Sequence, residues 1–245
     1  EELKPQLIET SKETEEKMVK VEGEKAEADK IAEKVSAEEA DAKKIADEVS
    51  SMKDDCEQEL NKALPILEES EKALKCITPQ DISYIKKLGQ PPDDVKKVLE
   101  AVCVLRGRKP KRNLNPDTQK VEYDYWATSK QMMNEQGFLK SLLEFDKENI
   151  EQSTIDKLKK YVDDPKFTKE YLSNVSGIAA NLACWVIAMD KFYEVNLIVK
   201  PKQEKLEKAT QEKNEVMKEL AVKQRELKEV MDKVQALEDD LNDTK

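Results

Sequence analysis

The residues best suited to nucleophilic or metal chemistry are almost missing from this chain. It has no histidine, and its four cysteines, Cys56, Cys76, Cys103 and Cys184, show no CxxC spacing. That removes Ser-His and Cys-His nucleophile systems, the facial metal triad and the usual zinc sites. The four thiols read as free and buried in a reducing compartment. Five glycines are too few and too scattered to cradle a phosphate. Acidic pairs such as Asp54-Asp55, Asp163-Asp164 and Asp239-Asp240 are abundant, but in a chain that is 39% charged they read as solvated surface. No catalytic residue, metal or cofactor is expected.

What the charged residues can do is bind. Lys86-Lys87 form one basic pair, and Lys157, Lys159 and Lys160 form another cluster. Arg106, Arg108, Lys109, Lys111 and Arg112 crowd a third stretch. The segment from Ile77 to Lys200 carries about 20 Lys and Arg against 18 Asp and Glu, whereas the flanks carry about 23 against 35. A basic middle between acidic flanks steers towards an acidic protein surface. The net charge of −10 argues against nucleic acid. No apolar run is long enough to cross a membrane, and no signal-peptide pattern opens the chain, so a soluble, cytosolic protein is expected.

The elements that would position these groups fall into three segments: a first coiled-coil arm (1–76), a helical globular middle (77–196) and a second arm (197–245). Taking every third and fourth residue from Met18 gives Val21, Lys25, Ala28, Ala32, Val35, Glu39, Ala42, Ala46, Val49, Lys53, Cys56, Leu60, Ala63 and Leu67. This is a heptad seam, weakened by small and charged members. Ile31, Ile45 and Met52 lie one position off it and make a second register conceivable. The last arm has a cleaner seam: Leu206, Ala209, Lys213, Val216, Leu220, Lys223, Leu227, Val230, Val234, Leu237 and Leu241. Pro65 and Pro201 stand near the inner ends of the arms. Each either kinks its helix where rod meets globule or starts a new helix.

Both tryptophans, all four phenylalanines and all six tyrosines fall in the middle segment. Thr78 and Pro79 predict a capped helix running to Leu88, with Ile82 and Ile85 inward. Asp93 opens a second helix with Val95, Val98, Leu99, Val102 and Leu105 on one face. Residues Gly107 to Tyr123 read as a polar loop. A third helix starts near Tyr125-Trp126 and stops before Gly137. Phe138 to Phe145 and Ile150 to Tyr161 give two more. From Tyr171, Val175, Ile178, Leu182, Trp185, Val186, Met189 and Phe192 keep helical spacing into the last arm. Trp126 and Trp185 read as core. The predicted fold is all-α: a long antiparallel two-helix coiled coil capped by a small bundle of short helices. Such an excursion reads as an insertion in a larger host.

These segments carry a family resemblance. The stretches Ala63-Leu64-Pro65-Ile66-Leu67, Pro91-Pro92 and Val98-Leu99-Glu100-Ala101-Val102-Cys103 come first in order. Asp124-Tyr125-Trp126, Phe138-Leu139, Asn174-Val175-Ser176, Trp185-Val186-Ile187-Ala188-Met189 and Pro201 follow. Together they resemble the stalk and microtubule-binding domain of dynein heavy chains over essentially the whole chain. Asp-Tyr-Trp and the Gly-Arg-Lys-Pro stretch are closer to axonemal, ciliary forms. The resemblance implies a tip that binds tubulin near its intradimer boundary. It also implies a stalk whose helices slide to relay signals from an ATPase ring elsewhere in the heavy chain. By the same resemblance, Lys86, with Lys87 beside it, and Lys130 fall on basic tubulin contacts. Glu170 matches an acidic position on the long last helix, and Asn174 stands where the cytoplasmic form has arginine. The basic stretch Arg108, Lys109, Lys111, Arg112 has no firm family counterpart and reads as an accessory. A cytoskeletal, axonemal location is implied.

A second reading, a non-motor coiled-coil hinge such as a chromosome-organising arm, would require a Gly-rich dimerising hinge or a CxxC zinc hook. Neither is in the sequence.

Overall fold

The computed structural model describes residues 3–114 and 121–243. Two very long helices dominate. Helix α1 spans Leu3–Lys75 and α8 spans Gly177–Asp243. Between them lie α2 (Pro79–Lys87), α3 (Asp93–Leu105), α4 (Tyr125–Met133), α5 (Phe138–Leu143), α6 (Gln152–Val162) and α7 (Lys169–Ser173). A 3-10 turn occupies Lys147–Asn149. Residues assigned above to a polar loop instead form a two-stranded antiparallel hairpin, β1 (Lys111–Leu114) and β2 (Val121–Asp124), in which Arg112 faces Tyr123. The tip of that stretch, 115–120, lies outside the described residues. Among the described residues, no helix is long and apolar enough to cross a membrane.

The chain divides into two compact units, one made of 1–55 with 202–245, the other of 56–201. In the first, segments of α1 and α8 pair antiparallel. Lys25 binds Glu238 at 2.9 Å, Lys223 binds Glu38 at 2.6 Å and Lys202 binds Asp55 at 2.7 Å, so numbers fall on one helix as they rise on the other. Val21, Ala28, Val35, Ala42 and Val49 are buried at every seventh position. Beside them it is Ile31, Ile45 and Met52 that are half-buried at each turn, while Lys25, Glu39 and Lys53 of the expected seam are exposed. Ala32 and Ala46 of that seam are half-buried too, and the bulkier residues beside them add apolar area removed from water. On α8 the expected seam holds, with Leu220, Val234 and Leu241 buried and Lys223 exposed.

The second unit is built around α3. Val95, Val98, Leu99, Ala101, Val102, Cys103, Val104 and Leu105 are all buried there, more than one face would supply. A helix apolar nearly all round must be covered on every side, and α4 and α6 pack against it. Trp185 of α8 is 2% exposed and meets Phe145 edge-to-face at 5.4 Å. Both prolines lie inside continuous helices, so neither starts a new one. Each is exposed, so water can reach the backbone carbonyl it leaves unpaired. Three thiols are buried and Cys76 is exposed; all four are free.

Candidate functional site

Helix α2 is set by local chemistry. Thr78 caps it reciprocally with Asp81, whose carboxylate accepts from the Thr78 N–H at 2.8 Å, and Pro79 fills the first turn. That backbone hydrogen bond, with the Thr78 hydroxyl, holds the Asp81 carboxyl below its ordinary pKa. Ile82 and Ile85 anchor α2 in the core. Lys86 and Lys87 then occupy its last turn, where the helix dipole favours cations. Lys87 is exposed. Lys86 is half-buried and donates from Nζ to Asn134 Oδ1 at 2.8 Å.

Asn134 is the residue that ends α4, and Lys130 stands in that helix's last turn. Asp124 starts the helix by accepting from the Trp126 N–H at 2.7 Å. Two basic candidates that lie far apart in sequence are thus carried by adjoining helices, which the Lys86–Asn134 bond joins. Beside that bond a groove of about 310 Å³ opens between Pro79, Ile82, Met133 and Phe138.

Glu170 and Asn174 are placed differently from the expectation. They do not belong to the long last helix. Thr168 caps the short α7, which contains Glu170, and Asn174 ends it. The chain then turns, and the Ser176 hydroxyl accepts from the Ala179 N–H to start α8 afresh. Both candidates are exposed. Their helix is tied to α1 by Lys169 to Glu69 at 2.6 Å and to α3 by Tyr171 to Asp94 at 3.4 Å. The salt bridge to Glu69 raises the Lys169 pKa.

The accessory basic residues divide. Arg108 is paired with Glu135 at 2.5 Å, and Arg106 reaches both Glu135 and Ser141. Lys109 contributes its carbonyl, which accepts from the Thr128 hydroxyl at 3.0 Å. Lys111 and Arg112 are exposed on β1, beside exposed Tyr123. The Lys157, Lys159, Lys160 cluster is largely structural: Lys159 joins Asp190 and Glu194, and Lys160 joins Glu100. Sequence reasoning missed Asn134, 48 residues from its partner Lys86, because nothing local announces that contact. Trp126, read as core, does pack against it, and the spacing Trp126-x-x-x-Lys130 also puts the ammonium 5.5 Å from the ring centroid, a contact the sequence reading did not name. Among the described residues no group of His, Cys, Asp or Glu could hold a metal ion.

A family profile described as the microtubule-binding stalk of dynein motor matches residues 2–244. "Dynein axonemal heavy chain 3" of Homo sapiens is 39% identical over 243 residues, 98% of this chain. "Dynein beta chain, ciliary" of Tripneustes gratilla is 36% identical over 156 residues, 63% of this chain. The chain spans only about 6% and 3% of the length of these relatives. A solved structure titled "Microtubule Binding Domain of DYNEIN-C" aligns with a TM-score of 0.53 at 39% identity, covering 60% of this chain and 95% of that one. The chain belongs to the family of microtubule-binding stalks of dynein motors.

Proposed function

We propose that this chain binds the acidic surface of tubulin through its 56–201 unit. Lys86, Lys87 and Lys130 are the cationic contacts, and Glu170 and Asn174 form a second contact on α7. Lys111 and Arg112 of the hairpin, with Arg108 and Lys109 at its base, are accessory. In this reading residues 77–196 are the binding tip, and 1–76 with 197–245 are the stalk arms of a dynein heavy chain in the ciliary axoneme. The arms relay the state of an ATPase ring elsewhere in that heavy chain by sliding, with Pro65 and Pro201 as the joints near the tip. The carrying observation is the Lys86–Asn134 bond, which sets the basic ends of α2 and α4 side by side. Support also comes from family membership and from the axonemal names of the relatives.

Microtubule co-sedimentation across a salt series tests this. Binding is expected to weaken steeply as salt screens the contact charges. Lys86→Ala and Lys130→Ala should each weaken it about fivefold or more, the ~1 kcal/mol of a contact that matters. Failure to pellet with the arms cross-linked in either of two registers would end the binding reading. Equal affinity in both registers would end the relay alone.

A further inference from the structure

Lys130 is held by a ring rather than by a carboxylate, as are Lys147 over Phe192 and Lys166 over Tyr171 in the same unit; of the three, Lys130 alone is a proposed tubulin contact. Lys97, Lys159, Lys160 and Lys169 are each neutralised by a carboxylate. Lys130 forms no such pair among the described residues. It is half-buried, and its Nζ rests 5.5 Å from the centroid of the Trp126 ring, one turn back in α4. Helical side chains lean towards the N-terminus of their helix, which brings residue 130 down over residue 126. Asp124 sets the backbone under the ring by capping the helix on the Trp126 N–H, and the half-buried indole packs against the core.

Trp126 also carries a liability. Its Nε1–H is buried and has no hydrogen-bond partner among the described residues. An unmet buried donor lowers stability. A phenyl ring would keep an aromatic face there without that defect. What phenyl lacks is the stronger pull of indole on a cation. The orphaned donor is understandable where the ring is needed for its face.

We propose that Trp126 is a positioning residue for Lys130. The indole face directs the ammonium without neutralising it, so that the full charge is presented to a carboxylate of tubulin. This rests on the reading of Lys130 as a tubulin contact.

The test uses the full chain with Trp126→Leu, Trp126→Phe and Lys130→Ala, and each Trp126 change combined with Lys130→Ala. Microtubule affinity and melting midpoint are measured for all. Trp126→Leu should weaken affinity about two- to fivefold, the ratio for a cation–π contact at such a site. Trp126→Phe should weaken it less, in the same direction, while its melting midpoint stays level or rises. With Lys130→Ala already present, neither change at Trp126 should alter affinity further. A midpoint that falls together with affinity in Trp126→Phe, or an equal loss with and without Lys130, would overturn the proposal. Trp126→Tyr repeats the comparison if the phenylalanine variant does not fold. If Lys130→Ala itself binds as tightly as the unchanged chain, the contact reading of Lys130 fails first and takes this proposal with it. If Lys130→Ala weakens binding but the Trp126 variants do not, only the positioning role is lost.

Discussion

Asp190 is the most heavily buried carboxylate of the described core, its side chain 4% exposed on α8. Lys159 on α6 reaches it at 2.9 Å and Glu194 at 3.0 Å. Burial works against the Lys159 charge, but its hydrogen bonds to both carboxylates outweigh burial and raise its pKa. One Asp190 oxygen is left without a hydrogen-bond partner among the described residues. Such a site tolerates losing both charges better than losing one, because an unpaired buried charge keeps its desolvation penalty. Lys159→Met is therefore expected to destabilise the chain by about 2–3 kcal/mol in urea unfolding, less than a fully buried pair because Lys159 is partly solvated. The double variant with Asp190→Leu should recover most of that loss. A double variant no more stable than Lys159→Met would show that Asp190 has a role beyond its partner. The same physics explains why this lysine cluster was misleading in sequence: composition shows the positive charges, but not the carboxylates that the fold brings to them.

At the scale of elements, what was legible depended on how local the cause is. The start of α2 could be read because Thr78, Pro79 and Asp81 cap within one turn. The hairpin could not, because Lys111-Arg112-Asn113-Leu114 is exposed on both faces and shows no alternation of apolar and polar residues. The break between α7 and α8 was hidden because Tyr171, Val175 and Ile178 keep helical spacing across it. The capping hydroxyl of Ser176 decides otherwise. In α1 two tracks share the same seven-residue period, Ile31-Ile45-Met52 and Ala32-Glu39-Ala46-Lys53, and spacing alone cannot rank them. The structure half-buries Ile31, Ile45 and Met52 alike, whereas in the second track Ala32 and Ala46 are half-buried but Glu39 and Lys53 are exposed. Ile45→Ala should lower coiled-coil stability by about 1–2 kcal/mol, a part of the cost at a fully buried site. Glu39→Ala should stay within about 0.5 kcal/mol, as exposed substitutions do. Helicity followed by circular dichroism during melting would separate them. A larger effect from Glu39→Ala would mean the other track is the seam in solution.

The whole molecule divides its apolar mass unevenly, and that should be visible in how it melts. The 56–201 unit holds the large cluster from Leu74 to Tyr193, including Trp185, Leu99 and Leu158. The paired arms hold a narrow stripe of small residues, with Val35, Ala42 and Leu220 as its buried cluster. Their cross-helix ion pairs, such as Lys25 with Glu238, are exposed and stabilise little. In proteins most helical stability comes from packing an apolar face, and these arms pack only a thin one. The arms should therefore lose helix at a lower temperature than the globular core. Far-ultraviolet circular dichroism should fall in two steps, whereas near-ultraviolet signals from buried Trp185 should move only in the second. A fragment of residues 56–201 should keep that second transition, since nearly all of its core lies inside those limits. Coincident transitions by both probes would show that the two units unfold as one and that the thin seam is stronger than its residues suggest. A two-step melt would give the relay reading a physical basis, because a seam held by small residues and exposed ion pairs can be rearranged at little cost while the binding unit stays folded.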